Sequence, residues 1–146
     1  MTAVPAESPP RVLIESPDPV AAARQMRLLR EAGVDAEVCR GPHRLPQVGC
    51  PLLTEGTCAP LTRADAVLFD LDVDDPVARE VLAVLRLRHS ALPVVAEVPT
   101  ETARRHAEAL AGCVVVPPVS DEHLVAAVVD ALAARGERPE LETTAP

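Results

Sequence analysis

Five short apolar runs constrain this chain more than any other feature: RVLI (11–14), DAEVC (35–39), DAVLFDLD (65–72), PVVAEV (93–98) and CVVVP (113–117). Each is short for a helix and rich in β-branched side chains, so each reads as a strand. The apolar character is continuous rather than alternating, as in strands covered on both faces. Helical patterns separate most of the runs. Asp18-Pro19 supplies an N-cap and a proline at the first helical position, with Ala22, Met26 and Leu29 on one face and Gly33 as the stop. Asp75-Pro76 repeats that signal ahead of Val77, Val81 and Val84, in a helix ending near His89. Thr100 opens a third helix with Ala103, Ala107 and Leu110 on one side, stopped by Gly112. Ser120, followed by Asp121 and Glu122, caps a fourth with Val125, Val128 and Leu132 facing inward and Gly136 at its end. Strands alternating with helices, joined by right-handed crossovers, predict an α/β fold with a doubly wound, five-stranded parallel sheet.

One segment breaks the alternation. Residues 40–64 carry Pro42, Pro46, Pro51 and Pro60 with Gly41, Gly49 and Gly56, which predicts a non-helical insert where the second helix belongs. The insert region is also rich in cysteine: Cys39, Cys50 and Cys58 fall in or beside it, and Cys113 alone lies elsewhere. The expected organisation is a flexible arm at 1–10, one domain at 11–136, and a disordered acidic tail at 137–146.

Composition removes several function classes. The chain has 146 residues, 48% apolar and 25% charged, which suits one folded domain. Its net charge is −8 and Phe69 is the single aromatic residue, which argues against direct nucleic-acid binding. No apolar run reaches the roughly 18 residues of a membrane span. MTAVPAESPPR lacks the basic and apolar regions of a signal peptide, so a cytoplasmic location is expected. All 14 cationic residues are arginine; the absence of lysine removes a Walker-type phosphate site and any lysine nucleophile or base.

Strands at this spacing, with an aspartate closing the third, resemble the response-regulator receiver family over residues 11–134. RVLIES puts Glu15 and Ser16 where receivers keep an acidic metal-holding pair. DAVLFDL puts Asp70 at the phosphoacceptor position. PVVAEVP puts Val98 at the expected Thr or Ser, with Thr100 close by, and CVVVPPVS puts Pro117 where the receiver lysine stands. The resemblance implies a flavodoxin-like strand order, 2-1-3-4-5, and a degenerate or pseudo-receiver site. Losing a charge-assisted clamp on a phosphoryl group costs on the order of 2–4 kcal/mol of transition-state stabilisation. It also implies an acidic pocket of Glu15, Asp70 and Asp72, with a possible Mg²⁺ near Asp70 and Asp74 and Asp75 as nearby acids. Asp70 has two readings: a working phosphoacceptor, or an acid at a strand end in a solvated crevice. Asp75 has a plain role as a helix cap.

For the cysteines three readings stay open. Cys39, His43, Cys50 and Cys58 form a possible zinc or iron–sulfur ligand set, at spacing C-x3-H-x6-C-x7-C. A pair such as Cys50 and Cys58 is a candidate redox couple, activated by Arg40, His43 or Arg44. Alternatively, the thiols are small core-facing hydrophobes, the expected role of Cys113. His89, beside Arg86 and Arg88, suits a helix C-terminus, and His106 and His123 read as surface residues.

No Ser-His-Asp pattern, phosphate-cradling glycine loop or H-E-x-x-H occurs. The expected function is therefore a non-enzymatic signal-transduction module that binds a protein partner or a second copy of itself, with the insert binding a metal or sensing redox state. The alternatives are a true receiver phosphorylated at Asp70 and a thiol-redox protein.

Overall fold

The computed structural model describes residues 8–44 and 49–137. Most of the expected arm and tail, and residues 45–48 of the insert, lie outside the described residues. β1 (Arg11–Glu15) leads through α1 (Pro19–Glu31) to β2 (Asp35–Cys39). A 3-10 turn (Pro42–Arg44) and two short helices follow, α2 (Pro51–Glu55) and α3 (Ala59–Thr62). Then come β3 (Ala66–Phe69), α4 (Pro76–Arg88), β4 (Val94–Glu97), α5 (Thr100–Arg105), β5 (Val114–Val116) and α6 (Asp121–Glu137). The five strands are parallel, in the order β2-β1-β3-β4-β5. That is the doubly wound, flavodoxin-like sheet expected from the apolar runs.

The capping chemistry is as the sequence implies. Asp18 Oδ1 accepts from Val20 N at 3.0 Å, Asp75 Oδ1 from Val77 N at 3.0 Å, and Ser120 Oγ from His123 N at 3.2 Å. Each such bond satisfies an otherwise unpaired helix donor and contributes about 1 kcal/mol.

Side chains alternate across the sheet and build two cores. Val12 and Ile14 of β1 join Leu29, Leu68, Val95, Leu124 and Val128 on the α1/α6 face. Leu13 joins Leu52, Leu61, Phe69, Val81, Leu82 and Leu85 on the opposite face, under the insert and α4. Phe69 is fully buried.

Three expectations need correction. The insert is not helix-free. Pro51 and Pro60 sit in the first turns of α2 and α3, where a missing N–H costs nothing, so they start helices rather than prevent them. Gly56 ends α2 in the left-handed conformation, φ +85°. Leu52 and Leu61 anchor the two helices in the core, each contributing about 1.5–3 kcal/mol on burial. The third predicted helix is shorter than its Ala103, Ala107 and Leu110 stripe suggested. It ends at Arg105, and turns carry the chain to β5. A mostly alanine stripe buries too little apolar area to hold further turns against the sheet. The last helix runs past Gly136 to Glu137.

Candidate functional site

The carboxyl ends of parallel strands leave backbone groups and loops facing one crevice, the usual place for a site in an open α/β sheet. Here that crevice is a cleft of about 570 Å³ lined by Arg24, Asp70, Asp72, Glu97, Thr102 and Pro118, among others.

Asp70 is the first residue beyond β3, and its backbone N–H donates to Glu15 O at 2.8 Å, which fixes it beside β1. Its side chain faces α1. Asp70 Oδ2 accepts from Ser16 Oγ at 3.0 Å and from Gln25 Nε2 at 3.0 Å. The same Gln25 nitrogen donates to Glu97 Oε1 at 3.0 Å, so one amide holds two carboxylates. Glu97 closes β4 with its side chain only 4% exposed. Arg24 Nη2 bonds both its oxygens, at 2.8 and 2.9 Å, and Arg24 Nη1 reaches Asp121 at the start of α6, at 3.2 Å. Four elements, α1, β3, β4 and α6, are thus tied by one network. It is not fully satisfied: Arg24 Nε and Gln25 Oε1 are buried without a partner among the described residues.

Burial pushes the Asp70 carboxyl above its ordinary value. The bonds from Gln25 and Ser16 oppose that rise, while the charge of Glu97 adds to it and that of Arg24 counters it.

The expected acidic pocket is only partly assembled. Glu15 follows the β1 alternation to the face opposite the Asp70 side chain, and its charge acts on Cys39 and Cys58. A one-residue step along a strand reverses the face, so an acid at Glu15 and one at Asp70 do not share a space. Asp72 is exposed on the cleft rim, where Oδ1 accepts from Asp74 N at 3.0 Å. Val98 is buried on the insert side, Thr100 is exposed at the start of α5, and Pro117 follows β5 half-buried.

A divalent cation does not fit this donor set. Ser16 offers a hydroxyl in place of a carboxylate, and Glu97 is already bound by a guanidinium and an amide. Among the described residues no group of three or more His, Cys, Asp or Glu side chains is arranged to hold a metal ion. That applies equally to the Cys39, His43, Cys50 and Cys58 set. The 3-10 turn directs His43 to the carboxylate of Asp75, away from a thiol ligand position.

All four cysteines are free, and each packs against the insert-side core. Burial pushes the Cys39, Cys58 and Cys113 thiols up, and Glu15 pushes Cys39 and Cys58 further. Burial is the largest influence on all three, and Arg86 acts against it only at Cys113, so these three thiols are weaker acids than a free cysteine. His89, read as a dipole partner, bonds Gly56 O at 2.8 Å and ties α2 to the end of α4. His106 bonds Asp74 Oδ1 at 2.8 Å.

Three residues of the network were not singled out by sequence reasoning: Arg24, Gln25 and Glu97. Two signals for them exist. Glu97 is an acid inside the apolar run PVVAEV, and a buried acid demands a partner. Gln25 lies three residues after Ala22 and four before Leu29, a polar side chain on an apolar stripe.

No family model matches the sequence, and no curated protein matches it. Solved structures do match in shape. A response-regulator receiver domain protein from Clostridium thermocellum superposes with a TM-score of 0.66 at 14% identity, covering 87% of this chain and 97% of that one. The signal receiver domain of an HD domain-containing protein from Pseudomonas fluorescens Pf-5 gives 0.66 at 14% identity, covering 96% and 98%. A CheY-like response regulator receiver domain protein from Methanospirillum hungatei gives 0.61 at 17% identity, covering 89% and 98%. The fold of this chain is that of the response-regulator receiver domains.

Proposed function

We propose that this chain is a non-enzymatic regulatory module, a pseudo-receiver whose switch site is closed by its own side chains. The observation that carries this reading is the Gln25 amide, which joins Asp70 to Glu97 at the place where a receiver would accept a phosphoryl group. Most of the polar groups of the network bond one another: Arg24 binds Glu97 and Asp121, and Gln25 and Ser16 bind Asp70, with Arg24 Nε and Gln25 Oε1 left over among the described residues. Ser16 and Gln25 both hold Asp70 through Oδ2, and an attack through the other oxygen, Oδ1, would find no lysine to receive the new charge. Arg24 is the one cation bonded within the network, and its guanidinium is committed to Glu97 and Asp121. The output of such a module is contact with a protein partner or a second copy, in a state set by the internal network rather than by phosphorylation.

Incubation of the full chain with acetyl phosphate and Mg²⁺, read by intact-mass spectrometry and by amide NMR with beryllofluoride, tests this. The expected result is no phosphoryl adduct and no shift at Asp70 or Glu97. A hydroxylamine-labile adduct that disappears in Asp70→Asn would establish a working phosphoacceptor and overturn the proposal.

A further inference from the structure

The chain is acidic overall, with a net charge of −8, yet four of its 14 cationic side chains line one groove. Arg79 and Arg86 come from α4, Arg104 and Arg105 from α5; His106 and Glu108 complete the polar lining. The groove is open and encloses about 900 Å³.

The bonding of the four guanidiniums is uneven in a useful way. Arg79 Nη1 donates to the carbonyl oxygens of Val73 at 2.8 Å and Asp74 at 3.1 Å, and Arg86 Nη1 to that of Glu108 at 2.9 Å. Backbone carbonyls orient these two groups without cancelling their charge. Arg104 Nη1 bonds Glu101 at 3.2 Å, and Arg105 Nη2 bonds Asp74 at 3.0 Å and Thr102 at 3.3 Å. In each case one nitrogen is engaged, and the other two donate to nothing among the described residues. An incoming anion would meet the Glu108 carboxylate in the lining and would have to compete with Glu101 for Arg104 and with Asp74 for Arg105.

We propose that this groove binds a compact oligophosphate, a ligand with two or more adjacent phosphoryl groups. A guanidinium fork matches the oxygens of a phosphate with paired bonds, and several forks around one space match several phosphates. The volume lies within the range of roughly 300–1,000 Å³ typical of small-ligand sites. The apolar lining is only the methyl groups of Ala107, Ala109 and Ala111, too shallow to anchor a peptide side chain. Phe69, the single aromatic residue, is buried in the core, so no base can stack on it. A long polyanion would run from the groove onto an acidic surface, whereas a compact one would not.

Calorimetric titration of the full chain with tripolyphosphate, at low salt and without divalent cations, tests the site. Saturable binding that weakens with added salt is expected. Arg86→Gln and Arg104→Gln should each weaken it by about tenfold, while Arg27→Gln on exposed α1 should leave it unchanged. The Arg104 side chain is 73% exposed, so its variant keeps the fold; circular dichroism checks the Arg86 variant. Four results would each overturn the proposal. They are no saturable binding, undiminished binding by Arg86→Gln and Arg104→Gln combined in one chain, monophosphate binding as tightly as tripolyphosphate, or tighter binding in the groove of a single-stranded oligonucleotide or an acidic peptide.

Discussion

Glu15 and Glu97 stand at the same end of the sheet, on opposite faces, and are almost equally buried at 4% and 6% exposure. Their surroundings differ completely. Glu97 is held by Arg24 and Gln25. Glu15 meets thiols and apolar side chains, and burial alone pushes its carboxyl up to about 7. A buried carboxylate needs hydrogen-bond partners, and Glu97 has a guanidinium and an amide in that role. One face of the strand ends is therefore an ionic clamp, and the other is a packed apolar and thiol wall that favours the neutral acid at Glu15.

The sharpest way to break this contrast is to remove the cation. Arg24→Met leaves Glu97 buried without its charge partner and should cost about 3 kcal/mol in urea unfolding. Adding Glu97→Met should recover most of that loss, because the penalty belongs to the orphaned charge; simple additivity of the two single variants would refute the clamp.

Glu15 should behave in the opposite sense. Its folded value, about 7, lies above the 4.5 of the free group, so the folded state binds the extra proton. Its contribution to stability is complete below pH 4.5 and is lost as pH rises through 7. Glu15→Gln should stabilise the chain by roughly 2 kcal/mol at pH 8 and flatten the stability profile between those limits. An unchanged profile would show that Glu15 is not the group responsible. The same variant removes a charge that holds Cys39 and Cys58 high, so their alkylation near neutral pH should quicken by a few fold.

Smaller effects sharpen the comparison further. Gln25→Leu removes the shared donor from both carboxylates and should cost about 1–2 kcal/mol, with Asp70 titrating still higher. His43→Ala, which deletes an exposed partner of Asp75, should change stability by less than about 0.5 kcal/mol. A larger effect there would mean that His43 has a role beyond its surface pair.

The sheet was legible because five apolar runs each had the length and continuity of a buried parallel strand, and because Asp18, Asp75 and Ser120 mark helix starts by direct hydrogen-bond chemistry. The insert was misread for a related reason. Proline excludes a helix interior but favours a helix start, and only the neighbouring Leu52 and Leu61, once packed, decide between the two. The site divides in the same way. Asp70 and Ser16 sit at strand ends, where position alone is informative. Gln25 meets Asp70 across 45 residues of sequence and Glu97 across 72, and no local pattern encodes such a meeting.

The two short helices of the insert are held mainly by Leu52, Leu61 and the His89 bond to Gly56, and Thr57 Oγ is buried without a partner among the described residues. Local opening of α2 and α3 over an intact sheet would break these anchors together with the packing of Cys50, Leu53 and Cys58 and the Arg63 pair with Glu37. The Cys58 thiol, made less acidic by burial where it lies, becomes more reactive when that unit opens. Its labelling rate therefore measures an opening equilibrium, and any ligand or partner that settles on the insert will register as a slower chemical clock.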